Sequence, residues 1–257
     1  MTTKLVRHDV RGDVAILTLD PPESRNALST GMLEEIASGL EDVDADDDLR
    51  ASVIAGGRRI FAAGANLREL KETSPGEYLT GPRGRAWRRI PSVEKPVVAA
   101  VAGAALGGGC ELALSCDAIV AGDGAVLGQP EVKLGLLPGA GGTQRWARSG
   151  GRYRAARVVI GGETVSAWQA RELGVVEHIV PDDQVLEAAI DLASDLGAQA
   201  PLAVRLAKRA LRLSEELPLD RALEQERVML AALLGTDDAR EGITAFLERR
   251  APDFRGR

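Results

Sequence analysis

Short apolar segments alternate with amphipathic ones along the chain, and each pattern predicts a different element. Residues 14–19 are rich in β-branched side chains, which predicts a strand that Pro21 and Pro22 would end. Residues 51–55 and 96–101 are continuously apolar, as the strands of buried parallel sheets are. Further strands are predicted at residues 118–121 and 125–127.

After the first predicted strand, apolar residues between positions 33 and 40 recur at intervals of three and four, which predicts a helix with one buried face. This face consists of Leu33, Ile36, Ala37 and Leu40. Ser29 or Thr30 is placed to cap the first turn of this helix. Residues 73–85 are polar and contain proline and glycine, which predicts a loop. Other helices are predicted at residues 67–72, from the glycines 107–109 to about 115, at 166–173 and at 181–196.

From Pro201 onward the composition is helical, with breaks at Pro218, Gly235 and Pro252. The order of strands and helices before that point predicts a layered α/β core. We therefore expect two parts, a core over residues 1–195 that carries the chemistry and a helical region over residues 196–257.

Composition narrows the classes of function. The chain has 257 residues, a net charge of −6 and only 3% aromatic residues. An acidic chain repels a phosphate backbone, and bases have few rings on which to stack, so nucleic acid is not an expected partner. Residues 83–89 contain four arginines that would suit phosphate groups, although a solvated helix face is the more common role of such a run.

The sequence does not favour a metal site, a membrane span or a secreted protein. Cys110 and Cys116 fit neither a metal-binding nor a redox spacing, and as buried reduced thiols they indicate a cytoplasmic protein. His8 and His178 lack clustered partners, and His178 is expected to be a strand residue. Residues 1–20 do not have the pattern of a signal peptide, and no apolar run is long enough to span a membrane.

Two glutamates beside glycine-rich turns carry the candidate chemistry. Glu111 follows Gly107-Gly108-Gly109, and Glu131 precedes the turn of residues 139–142. A strand, glycines and a helix start expose unpaired amides, and burial among apolar neighbours raises a carboxyl pKa toward the range of acid–base catalysis. A close-packed structural turn or an anion site would use the same glycines, although the phosphate-binding motif GxxxxGK[ST] is absent.

Three segments together resemble the enoyl-CoA hydratase/isomerase (crotonase) superfamily, in order and in spacing. They are Phe61-Ala62-Ala63-Gly64-Ala65-Asn66-Leu67, Ala105-Leu106-Gly107-Gly108-Gly109-Cys110-Glu111-Leu112, and Gly128-Gln129-Pro130-Glu131 through Gly139-Ala140-Gly141-Gly142. The resemblance extends over essentially the whole chain. It implies a crotonase-like spiral of repeated ββα units, with a helical C-terminal region used to form a homotrimer or a dimer of trimers.

The resemblance also implies roles for individual residues. The backbone amides of Ala65 and Gly108 would form an oxyanion hole for a thioester carbonyl. Glu111 would activate a water molecule, Glu131 would supply the proton to the α-carbon, and the backbone of Gly139 would help to place the water. The implied reaction is hydration of a 2-trans-enoyl-CoA, with no metal and no cofactor, because coenzyme A is part of the substrate.

The same resemblance implies where the acyl-CoA thioester binds. Coenzyme A would lie along the residues Arg25, Ala27, Leu28, Ala63, Asn66, Leu67 and Arg68. Asn66 stands where hydratases often have aspartate, and Leu230 stands where some relatives have an aromatic residue near the acyl tail. Arg249 is placed either to meet coenzyme A in a neighbouring subunit or to be solvated. Because of these departures, the acyl-chain preference stays open.

Two other functions remain possible from the sequence. A Δ3,Δ2-enoyl-CoA isomerase would use one glutamate to move a proton between carbons. A non-enzymatic acyl-CoA-binding or RNA-associated relative would use the fold without turnover, although the acidic charge disfavours RNA and two glutamates disfavour an inactive site.

Overall fold

The computed structural model describes residues 4–20 and 25–257, so the predicted strand end at Pro21 and Pro22 lies outside the described residues. The strands of the described part are β1 (Val6–Arg11), β2 (Val14–Leu19), β3 (Ala27–Leu28), β4 (Ala51–Ala55), β5 (Ile60–Ala62), β6 (Gly64–Ala65), β7 (Val97–Val101), β8 (Ala104–Leu106), β9 (Ala118–Gly122), β10 (Val126–Gly128), β11 (Thr164–Ser166) and β12 (His178–Val180).

The α-helices of the same part are α1 (Thr30–Ala45), α2 (Leu67–Glu72), α3 (Pro75–Thr80), α4 (Pro82–Arg89), α5 (Gly108–Leu114), α6 (Gly142–Gly150), α7 (Arg152–Val159), α8 (Ala167–Glu172), α9 (Val185–Gly197), α10 (Pro201–Glu216), α11 (Leu219–Leu233) and α12 (Asp237–Glu248). Short 3-10 helices occur at Ile90–Ser92 and Pro130–Leu134.

A six-stranded sheet and a four-stranded sheet form the core. The larger sheet has the order β1-β2-β4-β7-β9-β12 and is parallel except for the β1–β2 pair. The smaller sheet has the order β11-β10-β8-β5, and β3 pairs with β6 in a separate ribbon. Chain segments pass from the larger sheet to the smaller one and then into a helix, as in β7-β8-α5. This repetition is the spiral of ββα units that the resemblance implied.

The inner strands of the large sheet, β2, β4, β7 and β9, are buried on both faces. Alternate residues of β2 point to opposite sides, so Leu17 joins the core beneath α1 and Ile16 joins the core beneath α9. The predicted apolar face of α1 is buried, and Ser29 caps the helix by accepting from the amide of Met32 at 3.1 Å. Each fully buried leucine or isoleucine contributes about 1.5–3 kcal/mol. The burial explains why these strands contain few polar residues.

The predicted loop at residues 73–85 is wrong, because this segment forms most of α3 and α4. Ser74 caps α3 by accepting from the amide of Glu77 at 3.2 Å, and Pro75 and Pro82 each lie in the first turn of their helix. Proline is favoured in a first turn because its missing N–H has no intrahelical partner there. The prolines that suggested a loop therefore mark two helix starts.

Other predictions hold with adjusted ends. The strands predicted at 118–121 and 125–127 appear as β9 and β10, but they lie in different sheets and do not pair with each other. The helix predicted from residue 181 begins at Val185. The C-terminal region forms the helices α10 to α12, which are interrupted near Pro218 and Gly235.

Candidate functional site

The helix α5 follows Gly107, whose backbone has a conformation that only glycine readily adopts. Gly107 has a φ of 51°, a left-handed conformation, and its amide donates to the carbonyl of Gly128 at 2.9 Å. This bond ties the end of β8 to the end of β10. The turn places Glu111 in the first turn of α5, close to the segment that carries Glu131.

Glu111 is a buried carboxylate held by two backbone amides. Its side chain is 4% exposed, and its Oε1 accepts from the amides of Ala140 at 2.7 Å and Gly142 at 2.8 Å. Burial raises the pKa of Glu111, while these amides and the nearby Arg145 act in the opposite direction. Within residues 4–20 and 25–257 no hydrogen bond engages the second oxygen, Oε2, which can therefore act on a bound molecule.

Glu131 lies in the 3-10 helix Pro130–Leu134 and packs over the glycine turn. A Cβ added to Gly107 would stand 3.0 Å from Glu131 Oε1, so the carboxylate lies directly against the backbone of that glycine. The pKa of Glu131 is raised to about 7, mainly by burial and also by the charge of Glu111, while a hydrogen bond from its own backbone amide acts in the opposite direction. A carboxyl group with such a pKa exchanges protons near neutral pH.

Gln129 is a site residue that the sequence analysis did not single out. Its side chain is fully buried, and with the amide nitrogen turned toward Glu131 it donates to Oε1 at 3.0 Å and to Oε2 at 3.2 Å. Such donation holds the Glu131 carboxylate in place and favours its ionised form. The available signal was a polar side chain directly after the apolar strand β10.

The amides of Ala65 and Gly108 lie side by side. A Cβ added to Gly108 would stand 3.4 Å from the amide nitrogen of Ala65, and one added to Gly64 would stand 3.8 Å from that of Gly108. Gly108 is the first residue of α5, so its N–H has no intrahelical acceptor. Asn66 follows at once and caps α2, since its side chain accepts from the amide of Arg68 at 3.1 Å. The two amides can both donate toward one oxygen atom.

Tyr78 is the second residue that sequence reasoning missed, because it lies in the segment expected to be a loop. Its hydroxyl contacts the α-carbon of Gly139, where any larger residue would collide with it. Burial raises the pKa of Tyr78, as does the negative charge of Glu111. The helix α3 therefore forms a wall of the site that faces the carboxylates.

A single pocket collects most of the predicted site residues. The predicted residues that line it are Ala63, Ala65, Leu67, Gly108, Glu111, Glu131 and Gly139. The other predicted residues do not line it, and Leu28 is fully buried, with its carbonyl accepting from the amide of Asn66 and from Arg83. The rest of this set is Arg25, Ala27, Asn66 and Arg68. Leu230 and Arg249 are exposed on the C-terminal helical region.

Across residues 4–20 and 25–257, no cluster of three or more His, Cys, Asp or Glu side chains is arranged to hold a metal ion. Within the same ranges, no helix combines the length and the apolar character needed to cross a membrane. Cys110 and Cys116 are free thiols, and His178 is an exposed residue of β12.

Comparisons with known proteins all point to the same family. The family model described as enoyl-CoA hydratase/isomerase matches residues 9–257. The 2,3-dehydroadipyl-CoA hydratase of Escherichia coli K12 is 46% identical over 95% of this chain and 96% of that protein. The probable mitochondrial enoyl-CoA hydratase of Dictyostelium discoideum is 40% identical over 95% of this chain and 88% of that protein.

The fold comparison agrees with the sequence comparison. The crystal structure of enoyl-CoA hydratase subunit I from Geobacillus kaustophilus HTA426 superposes with a TM-score of 0.94 at 40% identity. The match covers 99% of both chains, so the spiral core and the C-terminal helices are shared.

Proposed function

The chain belongs to the enoyl-CoA hydratase/isomerase family, and on that premise we propose that it is an enoyl-CoA hydratase. The reaction is the reversible addition of water to a 2-trans-enoyl-CoA, which gives a 3-hydroxyacyl-CoA. The observation that carries the proposal is the placement of two carboxyl groups, Glu111 and Glu131, in one pocket with the adjacent amides of Ala65 and Gly108.

The two amides supply the first part of the chemistry. The thioester oxygen accepts from Ala65 and Gly108, and negative charge collects on this oxygen as water attacks the β-carbon. Preorganised donors of this kind contribute about 3–4 kcal/mol each to stabilising a developing oxyanion. Because the amides are fixed by β6 and by the first turn of α5, they need little rearrangement during the reaction.

The two carboxyl groups divide the second part. The ionised Glu111 takes a proton from water as the oxygen adds to the β-carbon, and the protonated Glu131 gives a proton to the α-carbon. The fixed geometry of Glu111 suits the orientation of water, and the pKa of about 7 suits Glu131 to proton donation near neutral pH. Interacting carboxyl groups titrate as a pair, so the macroscopic values belong to both.

Coenzyme A enters as part of the substrate and no separate cofactor is required. We place it along Arg25, Ala27 and Leu28, and across the segment from Ala63 through Asn66 and Leu67 to Arg68. Arg25 and Arg68 are exposed cations, so they can meet phosphate groups without the cost of burial.

Assembly into a homotrimer or a dimer of trimers, in the cytoplasm, is part of the proposal. Free thiols are typical of that compartment. The C-terminal helices expose large apolar side chains, which favours contact with other copies of the chain. These side chains include Leu211, Leu219, Val228, Leu234, Phe246 and Leu247. Light scattering coupled to size-exclusion chromatography should give three or six chain masses, and a monomer would contradict the assembly.

Hydration is tested with crotonyl-CoA by following the loss of absorbance of the conjugated thioester. We expect rapid loss and the appearance of 3-hydroxybutyryl-CoA by mass spectrometry. Failure to hydrate 2-enoyl-CoAs of any chain length would exclude the proposal. A 3-enoyl-CoA supplied in parallel distinguishes the isomerase, which would generate the conjugated absorbance instead of consuming it.

A further inference from the structure

Arg83 is a buried cation in the wall of the active-site pocket. It lies in α4, it is 8% exposed, and it lines the same pocket as Glu111 and Glu131. The other arginines of this segment behave differently, since Arg85 and Arg88 are exposed. Arg83 therefore departs from the solvated helix face that a run of arginines usually forms.

The charge of Arg83 has no ionic partner in the part of the chain that the structure describes. Its Nη1 donates to the carbonyl of Leu28 at 3.0 Å, and within residues 4–20 and 25–257 no carboxylate lies within 4.0 Å of its guanidinium. Glu69 is engaged elsewhere, accepting from the amide of Thr30 at 2.8 Å, and Glu111 accepts from backbone amides. Most of the five N–H donors of the guanidinium thus remain for other acceptors.

These donors face the pocket instead of being enclosed by protein. None of the described buried nitrogens that lack a hydrogen bond belongs to Arg83, so its remaining nitrogens stay accessible. Burial lowers the pKa of Arg83, and the neighbouring acidic groups, including Glu69, oppose that effect. A guanidinium stays protonated under these conditions, so the wall presents a permanent positive charge to the pocket interior.

The position of Arg83 determines which part of the substrate meets it. The anionic groups of coenzyme A are large and strongly hydrated, and the exposed Arg25 and Arg68 can meet them. Arg83 lies inside, among residues that suit a hydrocarbon chain. These neighbours in the pocket wall are Leu67, Leu70, Trp87, Leu134, Leu136 and Leu137. The acyl group is the part of an enoyl-CoA that enters this interior.

On the basis of the proposed hydratase function, we propose that the preferred substrate is an enoyl-CoA whose acyl chain ends in a carboxylate bound by Arg83. A guanidinium binds a carboxylate through two parallel hydrogen bonds, which a methyl group cannot form. A methyl-ended chain of the same length would displace water from the guanidinium without replacing the hydrogen bonds that the water made. Arg83 is accordingly a specificity-determining residue that selects the half-thioesters of dicarboxylic acids.

The test compares pairs of 2-trans-enoyl-CoAs of equal carbon number, from about five to eight carbons, one of each pair ending in methyl and the other in carboxylate. At the chain length that reaches Arg83, the wild-type enzyme should hydrate the carboxylate member with a kcat/KM about 100-fold higher. In Arg83→Gln this ratio should collapse, mainly through a raised KM for the carboxylate substrate. Arg83→Lys keeps the charge without the paired donors and should give an intermediate ratio.

Arg85→Gln is the matched control, since it removes an exposed arginine from the same helix and should leave the ratio unchanged. An equal fall for both members of the pair in Arg83→Gln would mean that the residue only supports Leu28, and it would overturn the proposal. The proposal would also be overturned if the wild-type enzyme showed no preference for the carboxylate member of any pair.

Binding and turnover separate this inference from the proposed function. Hydration of crotonyl-CoA without a carboxylate preference would leave the hydratase intact and remove the role of Arg83. If no enoyl-CoA were hydrated, calorimetry with the saturated analogues adipyl-CoA and hexanoyl-CoA would still test Arg83. Tighter binding of adipyl-CoA, lost in Arg83→Gln, would support its role, and equal binding would refute it.

Discussion

The two segments that carry the carboxylates hold them in the pocket in different ways. Glu111 belongs to the first turn of α5, is almost fully buried and has one oxygen fixed by two backbone amides. Glu131 belongs to a short 3-10 helix, is only half-buried and depends on Gln129 and on the backbone of Gly107 for its position. Burial raises the pKa of both; two backbone amides oppose this effect at Glu111, whereas at Glu131 one backbone amide opposes it and the charge of Glu111 adds to it.

The difference indicates how one residue type can perform two roles. A carboxylate that accepts two amide hydrogen bonds keeps its charge more readily and remains in a fixed orientation. A carboxyl group that is partly buried beside another negative charge holds its proton to a higher pH. The segment of Glu111 thus suits a base that orients water, and the segment of Glu131 suits an acid that releases a proton.

Removing each charge in turn should have the largest effect. Glu111→Gln and Glu131→Gln keep the size of the side chains, so the fold should persist while kcat with crotonyl-CoA falls about 1,000-fold in each. Glu187→Gln, which removes an exposed carboxylate paired with Arg11, should leave kcat unchanged. Activity within a few-fold of wild type in either site variant would refute the division of roles.

Gly107→Ala tests the contact that only the Glu131 segment has. The added Cβ would meet Glu131 Oε1 at 3.0 Å, so kcat should fall by about 10- to 100-fold, as expected for a displaced acid. Because Gly107 has a positive φ with a ψ of −127°, the substitution should also lower the free energy of unfolding, measured in urea, by about 1–3 kcal/mol.

Gly12→Ala shares the positive φ but has no atom within 4 Å of its Cβ. It should lose stability and keep activity, which isolates the steric effect on Glu131. Equal activities of the two variants would show that the carboxylate adjusts freely to the added methyl group.

Gln129→Met should have the smallest effect and concerns pH. Because Glu131 must be protonated to act as an acid, kcat/KM for hydration should decline as pH rises through the pKa of Glu131, near 7. Loss of the amide donor disfavours the ionised form, so this decline should move to higher pH by about one unit. In Glu131→Gln the decline should disappear. A shift to lower pH in Gln129→Met would contradict the donation.

Many helices and strands could be predicted from the sequence because they depend on patterns of neighbouring residues. The β-branched run at residues 14–19 and the cap at Ser29 became β2 and the start of α1, as predicted. The loop predicted at residues 73–85 failed because proline signals both a loop and a first helical turn. That error also hid Tyr78 and the true setting of Arg83.

The sequence by itself determined the residue types of the chemistry, namely two glutamates beside glycine turns in an order that resembles one family. It determined them because burial patterns and turn glycines are local properties of the chain. Only the tertiary structure decided which groups meet at the pocket, since Tyr78 and Arg83 line it from α3 and α4 and Gln129 contacts Glu131 behind its lining. Their charges and hydrogen bonds depend on distances across the fold, and those distances have no counterpart in sequence spacing.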